Sequence, residues 1–135
     1  MKKISLIIIA LLISFMMISC KNKPIKVSDF NEFENLFEGS IKYDIRTESE
    51  CEDGHIKGFV CMGDKTAEEL ANNIDIVSKD NNQKIILIGD EQEVLKVFDI
   101  LSKKGHKNMY YFDGGYQQYA SLKGEDYSPE TGCGC

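Results

Sequence analysis

Apolar positions follow two rhythms along this chain. Phe30, Phe33 and Phe37 are spaced for one helical face, with Ser28 as a candidate N-cap and Gly39 as a stop. The stretch 41–45, IKYDI, alternates as a strand does. Thr47 stands three residues before Glu50, the spacing of a capping box, and predicts a short helix running to Gly54. The stretch 56–62, IKGFVCM, predicts a second strand. Thr66 and Glu69 repeat the capping-box spacing, and Leu70, Ile74 and Val77 share the face of the helix that follows. After the turn-forming NNQ, the run 84–88 (KIILI) predicts a buried strand. Val94, Val97, Phe98 and Leu101 line the next helix, which Gly105 ends. The run NMYYF predicts a further strand, and DGG opens a last helix that ends near Gly124. Strands alternating with helices imply a mainly parallel sheet covered on both faces.

Two segments fall outside this alternation. Residues 1–19 begin MKK, continue through the fifteen-residue apolar run ISLIIIALLISFMMI, and end at Ser19. This is the pattern of a secretory signal peptide, and the run is shorter than the roughly 20 residues that span a bilayer. Met17-Ile18-Ser19-Cys20 resembles a bacterial lipobox. That resemblance implies a lipid on Cys20, with residues 20–27 as the lipidated start and tether. The implied location is the bacterial cell envelope, with the membrane as a partner through the anchor. At the other end, residues 129–135 form a glycine-containing tail that carries Cys133 and Cys135. The fold is expected to survive deletion of residues 130–135.

Charge narrows the partners. The net charge is -6, and the leader holds Lys2, Lys3 and no acid, so its removal leaves -8. Nucleic acid, whose phosphates need a basic surface, is excluded as a partner. Arg46 is the only arginine. With Cys20 lipidated, Cys51, Cys61, Cys133 and Cys135 remain, and export places them where disulfides persist. Four cysteines allow three full pairings, which sequence leaves open. Cys51 on its short helix reads as a small buried hydrophobe.

The segment YDIRTESECEDGHIKGF resembles the signature of the rhodanese-like domain through Asp44, Arg46, Glu50, Gly54, His55 and Gly58. The later segment LSKKGHKNMYYFDGGYQQYASLKG adds Gly105, Gly114, Gly115, Tyr116, Tyr119 and Gly124 in the family's order, with Tyr119 where a tryptophan is common. The resemblance covers residues 28–128. It implies an α/β, rhodanese-like three-layer fold with a mainly parallel central sheet and helices on both faces.

It also implies a site. In that family the strand matching KIILI ends in a catalytic cysteine, which carries sulfane sulfur as a persulfide inside a nest of backbone N–H groups. Here the matching position is Gly89, followed by Asp90, Glu91, Gln92 and Glu93, and the turn is about one residue short. Nearby carboxylates oppose both a thiolate and an anionic substrate; a like-charge contact at 4 Å costs about 4 kcal/mol near a surface. The expectation is a membrane-anchored domain without ordinary sulfurtransferase activity. It would act as a binding or regulatory module for a protein or small molecule, with no cofactor. The alternative is thiol-dependent redox or sulfur transfer on Cys133 and Cys135, which can also join Cys51 or Cys61 as soft metal ligands. The remaining motif residues have structural readings. Asp44 and Arg46 brace their loop, His55 is a satisfied structural histidine, His106 is solvated, and Gly114 and Gly115 make a tight turn.

Overall fold

The computed structural model describes residues 22–132. The leader, Cys20, Cys133 and Cys135, and the lipidation and tail-thiol expectations attached to them, lie outside the described residues. No helix among the described residues is long and apolar enough to cross a membrane.

Ten elements alternate along the described residues. They are β1 (Ile25–Val27), α1 (Phe30–Asn35), β2 (Ile41–Asp44), α2 (Glu48–Asp53), β3 (Val60–Cys61), α3 (Ala67–Val77), β4 (Ile85–Ile88), α4 (Glu91–Lys103), β5 (Met109–Phe112) and α5 (Gly115–Lys123). The five strands form one sheet in the order β1-β5-β4-β2-β3, and every pairing is parallel. β4 lies at the centre with all four residues buried, which is why its sequence is continuously apolar rather than alternating.

The two-residue period of β4 sends its side chains into two cores. Ile85 and Leu87 pack with Leu70, Ala71 and Ile74 of α3 and with Val94, Val97, Phe98 and Leu101 of α4. Ile86 and Ile88 pack on the other face with Phe33 of α1, Tyr119 of α5, Ile56 and Phe59. Burying one such large apolar side chain contributes about 1.5–3 kcal/mol, so the two clusters hold the three layers together. The second core is the more aromatic: Phe33 lies 4.7 Å from Phe112, and Phe37 lies 5.2 Å from Phe59, centroid to centroid. Tyr119 keeps its polar tip satisfied by donating to Glu34 Oε1 at 2.7 Å, and burial followed by that hydrogen bond pushes its phenol far above the ordinary range.

Both capping boxes form, at Thr47–Glu50 and Thr66–Glu69. Several local expectations are corrected. Asp29, not Ser28, caps α1, because its carboxylate reaches the Glu32 N–H at 2.8 Å, while the Ser28 hydroxyl turns to Asp113. α1 also ends at Asn35, so Gly39 serves the following turn at φ +70°. Val77 points outward at 53% exposure. The 56–62 strand shrinks to Val60–Cys61 because Ile56 and Phe59 are drawn into the second core. Residues 25–27, read as tether, form the edge strand β1 on β5. His106, expected in solvent, is 1% exposed and is held by Asp75 Oδ1 at 2.7 Å, joining the end of α4 to α3.

Candidate functional site

In parallel sheets the carboxyl ends of the strands are where ligands bind. Three turns meet there: the β2–α2 loop with Arg46 and Thr47, the β4–α4 turn with Gly89 and Asp90, and the β5–α5 turn with Gly114 and Gly115. They surround a cleft of about 470 Å³, also lined by Ile45, Glu50, Glu93 and Tyr116.

The β4–α4 turn is short. β4 ends at Ile88 and α4 begins at Glu91, so Gly89 and Asp90 alone connect them. Asp90 is the N-cap of α4, and its Oδ1 accepts from the N–H groups of Gln92 at 3.1 Å and Glu93 at 3.3 Å. Those are the donors that a helix start otherwise offers to an anion. Glu91 leaves the cleft to pair with Lys26 at 2.8 Å and to accept from Tyr111. Its carboxyl is held below the ordinary carboxylate range chiefly by the Lys26 hydrogen bond. Glu93 is bridged to Lys96 at 2.7 Å.

Space around Gly89 is also taken. A Cβ built there would stand 2.8 Å from Ile45 Cγ1, and the Gly89 carbonyl lies 3.3 Å from where a Cβ of Gly115 would be. Gly114 and Gly115 adopt φ +82° and +66°, so the tight turn expected of them is present and is of the left-handed kind that favours glycine.

Among the described residues Arg46 is the one cation lining the cleft, and its Nε and Nη2 are held by neighbours. Its Nε and Nη2 fork onto the buried Asp44 carboxylate, with Nη2–Oδ2 at 2.7 Å. Nη2 also donates to the Gly54 carbonyl at 2.6 Å. The guanidinium stacks 3.8 Å over the Tyr116 ring. The bracing role read from sequence is therefore what the geometry shows. Glu50 serves its capping box with Thr47.

A second cluster lies at the corner between α2 and β3. Cys51 and Cys61 form a disulfide with Cα atoms 5.8 Å apart, so Cys51 is buried as expected but is bonded rather than a free hydrophobe. His55 is 1% exposed, and its Nδ1 lies 2.8 Å from the Cys51 carbonyl oxygen and 3.7 Å from Cys61 Sγ. The tail returns to this corner. His55 and Glu130 exchange two backbone hydrogen bonds, and Glu130 Oε2 accepts from the Gly58 N–H at 3.2 Å. The Gly132 N–H donates to the Glu52 carbonyl at 2.9 Å. Residues 129–132 are thus docked rather than free. Sequence reasoning placed His55 and Gly58 in a motif and kept the cysteine pairings open, but Glu130 carried no signal in the sequence.

The rhodanese-like domain description matches residues 29–122. The chain belongs to the rhodanese-like domain family. Solved structures agree on the fold. The Alr3790 protein of Anabaena sp. is 24% identical, with 73% of this chain and 79% of that chain covered and a TM-score of 0.58. The single-domain sulfurtransferase RDL2 of Saccharomyces cerevisiae is 14% identical, with 82% and 100% covered and a TM-score of 0.55. The reduced CoADR-RHD protein of Bacillus anthracis is 24% identical at a TM-score of 0.52, and this chain covers only 17% of it. No curated protein matches the chain.

Proposed function

We propose that this rhodanese-like domain performs no ordinary thiosulfate sulfur transfer. It serves instead as a binding or regulatory module, held at the cell-envelope membrane by a lipid on Cys20. The observation that carries this reading is Asp90. Its carboxylate occupies the Gln92 and Glu93 N–H groups at the start of α4, so the turn matched to the family's nucleophile holds an anion of its own. Among the described residues no thiol lines that cleft, and its one cation, Arg46, is paired with the buried Asp44. A bound persulfide or thiosulfate would have to displace Asp90 from donors that also cap the helix. The cleft that remains, with Tyr116 and the acids Glu50, Asp90 and Glu93 on its walls, suits a neutral or cationic group of a protein or small molecule.

The test is thiosulfate-to-cyanide sulfur transfer by the full chain purified in detergent. The expected rate equals that of buffer, and Cys133→Ser/Cys135→Ser should change nothing. Turnover that survives this double substitution overturns the reading. The anchor is checked separately: Cys20→Ser should accumulate a larger, unlipidated precursor.

One observation favours thiol chemistry on the tail as a second reading. Gly132, the residue before Cys133, is bonded to Glu52, the residue after Cys51. Truncation should therefore be made after Gly132, because a cut at 130 also removes the His55–Glu130 bridge. Loss of thiol-dependent activity in that truncation would support the tail.

A further inference from the structure

The disulfide corner carries chemistry that the cleft does not. The Sγ atoms of Cys51 and Cys61 and a ring nitrogen of His55 lie within 4.8 Å of one another. The two cysteines differ in exposure: Cys51 is 0% exposed, on the buried face of α2, whereas Cys61 is partly exposed on the edge strand β3. His55 has a defined orientation. The carbonyl of Cys51 can only accept, so the 2.8 Å contact assigns a proton to Nδ1. The same edge of the ring faces Cys61 Sγ at 3.7 Å. The opposite nitrogen, Nε2, faces Glu130 Oε2 at 3.5 Å, where a second ring proton would meet a carboxylate. Glu130 is in turn fixed by its backbone pairing with His55 and by the Gly58 N–H.

These residues do not suit a metal. The ring nitrogen that faces the sulfurs carries the proton donated to the Cys51 carbonyl, so it has no lone pair to offer. They do suit a thiolate. A positive or hydrogen-bonding group beside a sulfur favours its ionised form, both as nucleophile and as leaving group.

We propose that Cys51, Cys61 and His55 form a thiol–disulfide exchange site, with Glu130 as a positioning residue and a dithiol as its substrate. The site is independent of the cleft. The thiolate of the incoming dithiol attacks the Sγ of Cys61, the more exposed of the two cysteines. A new S–S bond forms to Cys61 as the Cys51–Cys61 bond breaks, and the electron pair leaves on Cys51 Sγ beside the His55 ring. The second thiol of the substrate then attacks its own sulfur in the mixed disulfide and releases Cys61 as the thiolate that His55 Nδ1–H faces. In sum, one dithiol becomes a disulfide, the protein disulfide becomes two thiols, and two electrons and two protons pass to the protein. The reverse sequence oxidises the protein and reduces a substrate disulfide.

The experiment uses the full chain in detergent with Cys133→Ser/Cys135→Ser, so that only the internal pair exchanges, and dithiothreitol and oxidised glutathione as probes. Alkylation and peptide mass mapping report each cysteine. Under native conditions dithiothreitol should reduce the disulfide much faster than the chain unfolds. Reduction no faster than global unfolding would make the bond a structural staple and overturn the proposal. Adding Cys51→Ser should give a chain that captures glutathione on Cys61, while Cys61→Ser should give one that captures none on Cys51. The opposite pattern overturns the assignment of roles. In the Cys51→Ser chain, His55→Gln should shift the pH profile of capture upward and slow it by about ten-fold at neutral pH, the effect of one pKa unit on thiolate fraction. Glu130→Gln should do the same more weakly. An unmoved profile in both removes His55 from the chemistry. Should a substituted chain fail to fold, native reduction of the Cys133→Ser/Cys135→Ser chain still decides.

Discussion

The cleft at the strand ends and the corner between α2 and β3 meet along the segment from Arg46 to Gly54, yet they spend their polar groups in opposite ways. In the cleft the charged side chains are engaged with their neighbours. Arg46 is bound by Asp44, the Gly54 carbonyl and Tyr116, the start of α4 is capped by Asp90, and Glu93 is bridged to Lys96. At the corner, a bond that can be broken and remade lies against a histidine and a carboxylate with defined orientations. Family resemblance drew attention to the first region. Reactive groups collect in the second. A family fold locates where chemistry has room to occur, but the side chains at each position decide whether it does.

Arg46→Ala gives the largest expected effect on this comparison, because Arg46 holds both regions together. It leaves Asp44, 0% exposed, without its counter-charge, and the Gly54 carbonyl loses a donor next to His55. Breaking such a buried pair costs roughly 3–5 kcal/mol. Denaturant unfolding should show a loss of that size, together with faster thiol exchange at Cys51–Cys61 as the corner loosens. A loss below about 1 kcal/mol, the range of surface pairs, would mean that the pair is solvated.

Gly89→Cys is a smaller but more pointed break. Its Cβ would stand 2.8 Å from Ile45 Cγ1, and overpacking of that kind costs about 1–3 kcal/mol. Alone it should lower the melting temperature and restore no thiosulfate turnover. Combined with Ile45→Ala, Asp90→Ala and Glu93→Gln it should gain measurable turnover, since space at Ile45 Cγ1, charge and the backbone donors held by Asp90 are then all released. Turnover by Gly89→Cys alone would show that the acidic turn matters less than its electrostatics imply.

Asp90→Ala removes an N-cap and should cost about 1 kcal/mol. It should also let the helix start take an anion, read as a thermal shift on adding thiosulfate. The absence of any shift would mean that Asp90 is a cap and nothing more.

The smallest effect concerns the pair that draws Glu91 out of the cleft. Hydrogen bonding to Lys26 is the leading cause that lowers the Glu91 carboxyl, and the same bond leads in raising Lys26. A lowered carboxyl contributes stability that is lost as pH falls below the ordinary 4.5. A raised lysine contributes stability that is lost as pH rises above the ordinary 10.5. The pair is therefore fully effective between those values. Lys26→Ala should move the Glu91 midpoint upward in an NMR titration, with little change in overall stability because both groups are solvent-accessible. A stationary midpoint would place the cause elsewhere.

What local sequence determined was the order and type of most elements and the family they belong to. The apolar spacing of Val94, Val97, Phe98 and Leu101, the capping boxes at Thr47 and Thr66, and the glycines that end α2, α4 and α5 act over a few residues, so they are legible without the fold. The same holds for the identity of the turn 89–93 and for the pairing of Asp44 with Arg46, two residues apart. β1 escaped notice because three residues beside a leader have no pattern of their own until β5 pairs with them. His106 was misplaced because its burial depends on Asp75, 31 residues away. The pairing of Cys51 with Cys61 and the return of Glu130 to His55 were likewise decided only by tertiary structure. Side-chain chemistry is written into the sequence, but whether two groups meet depends on the path the backbone takes between them, and that path is set by the packing of the whole sheet.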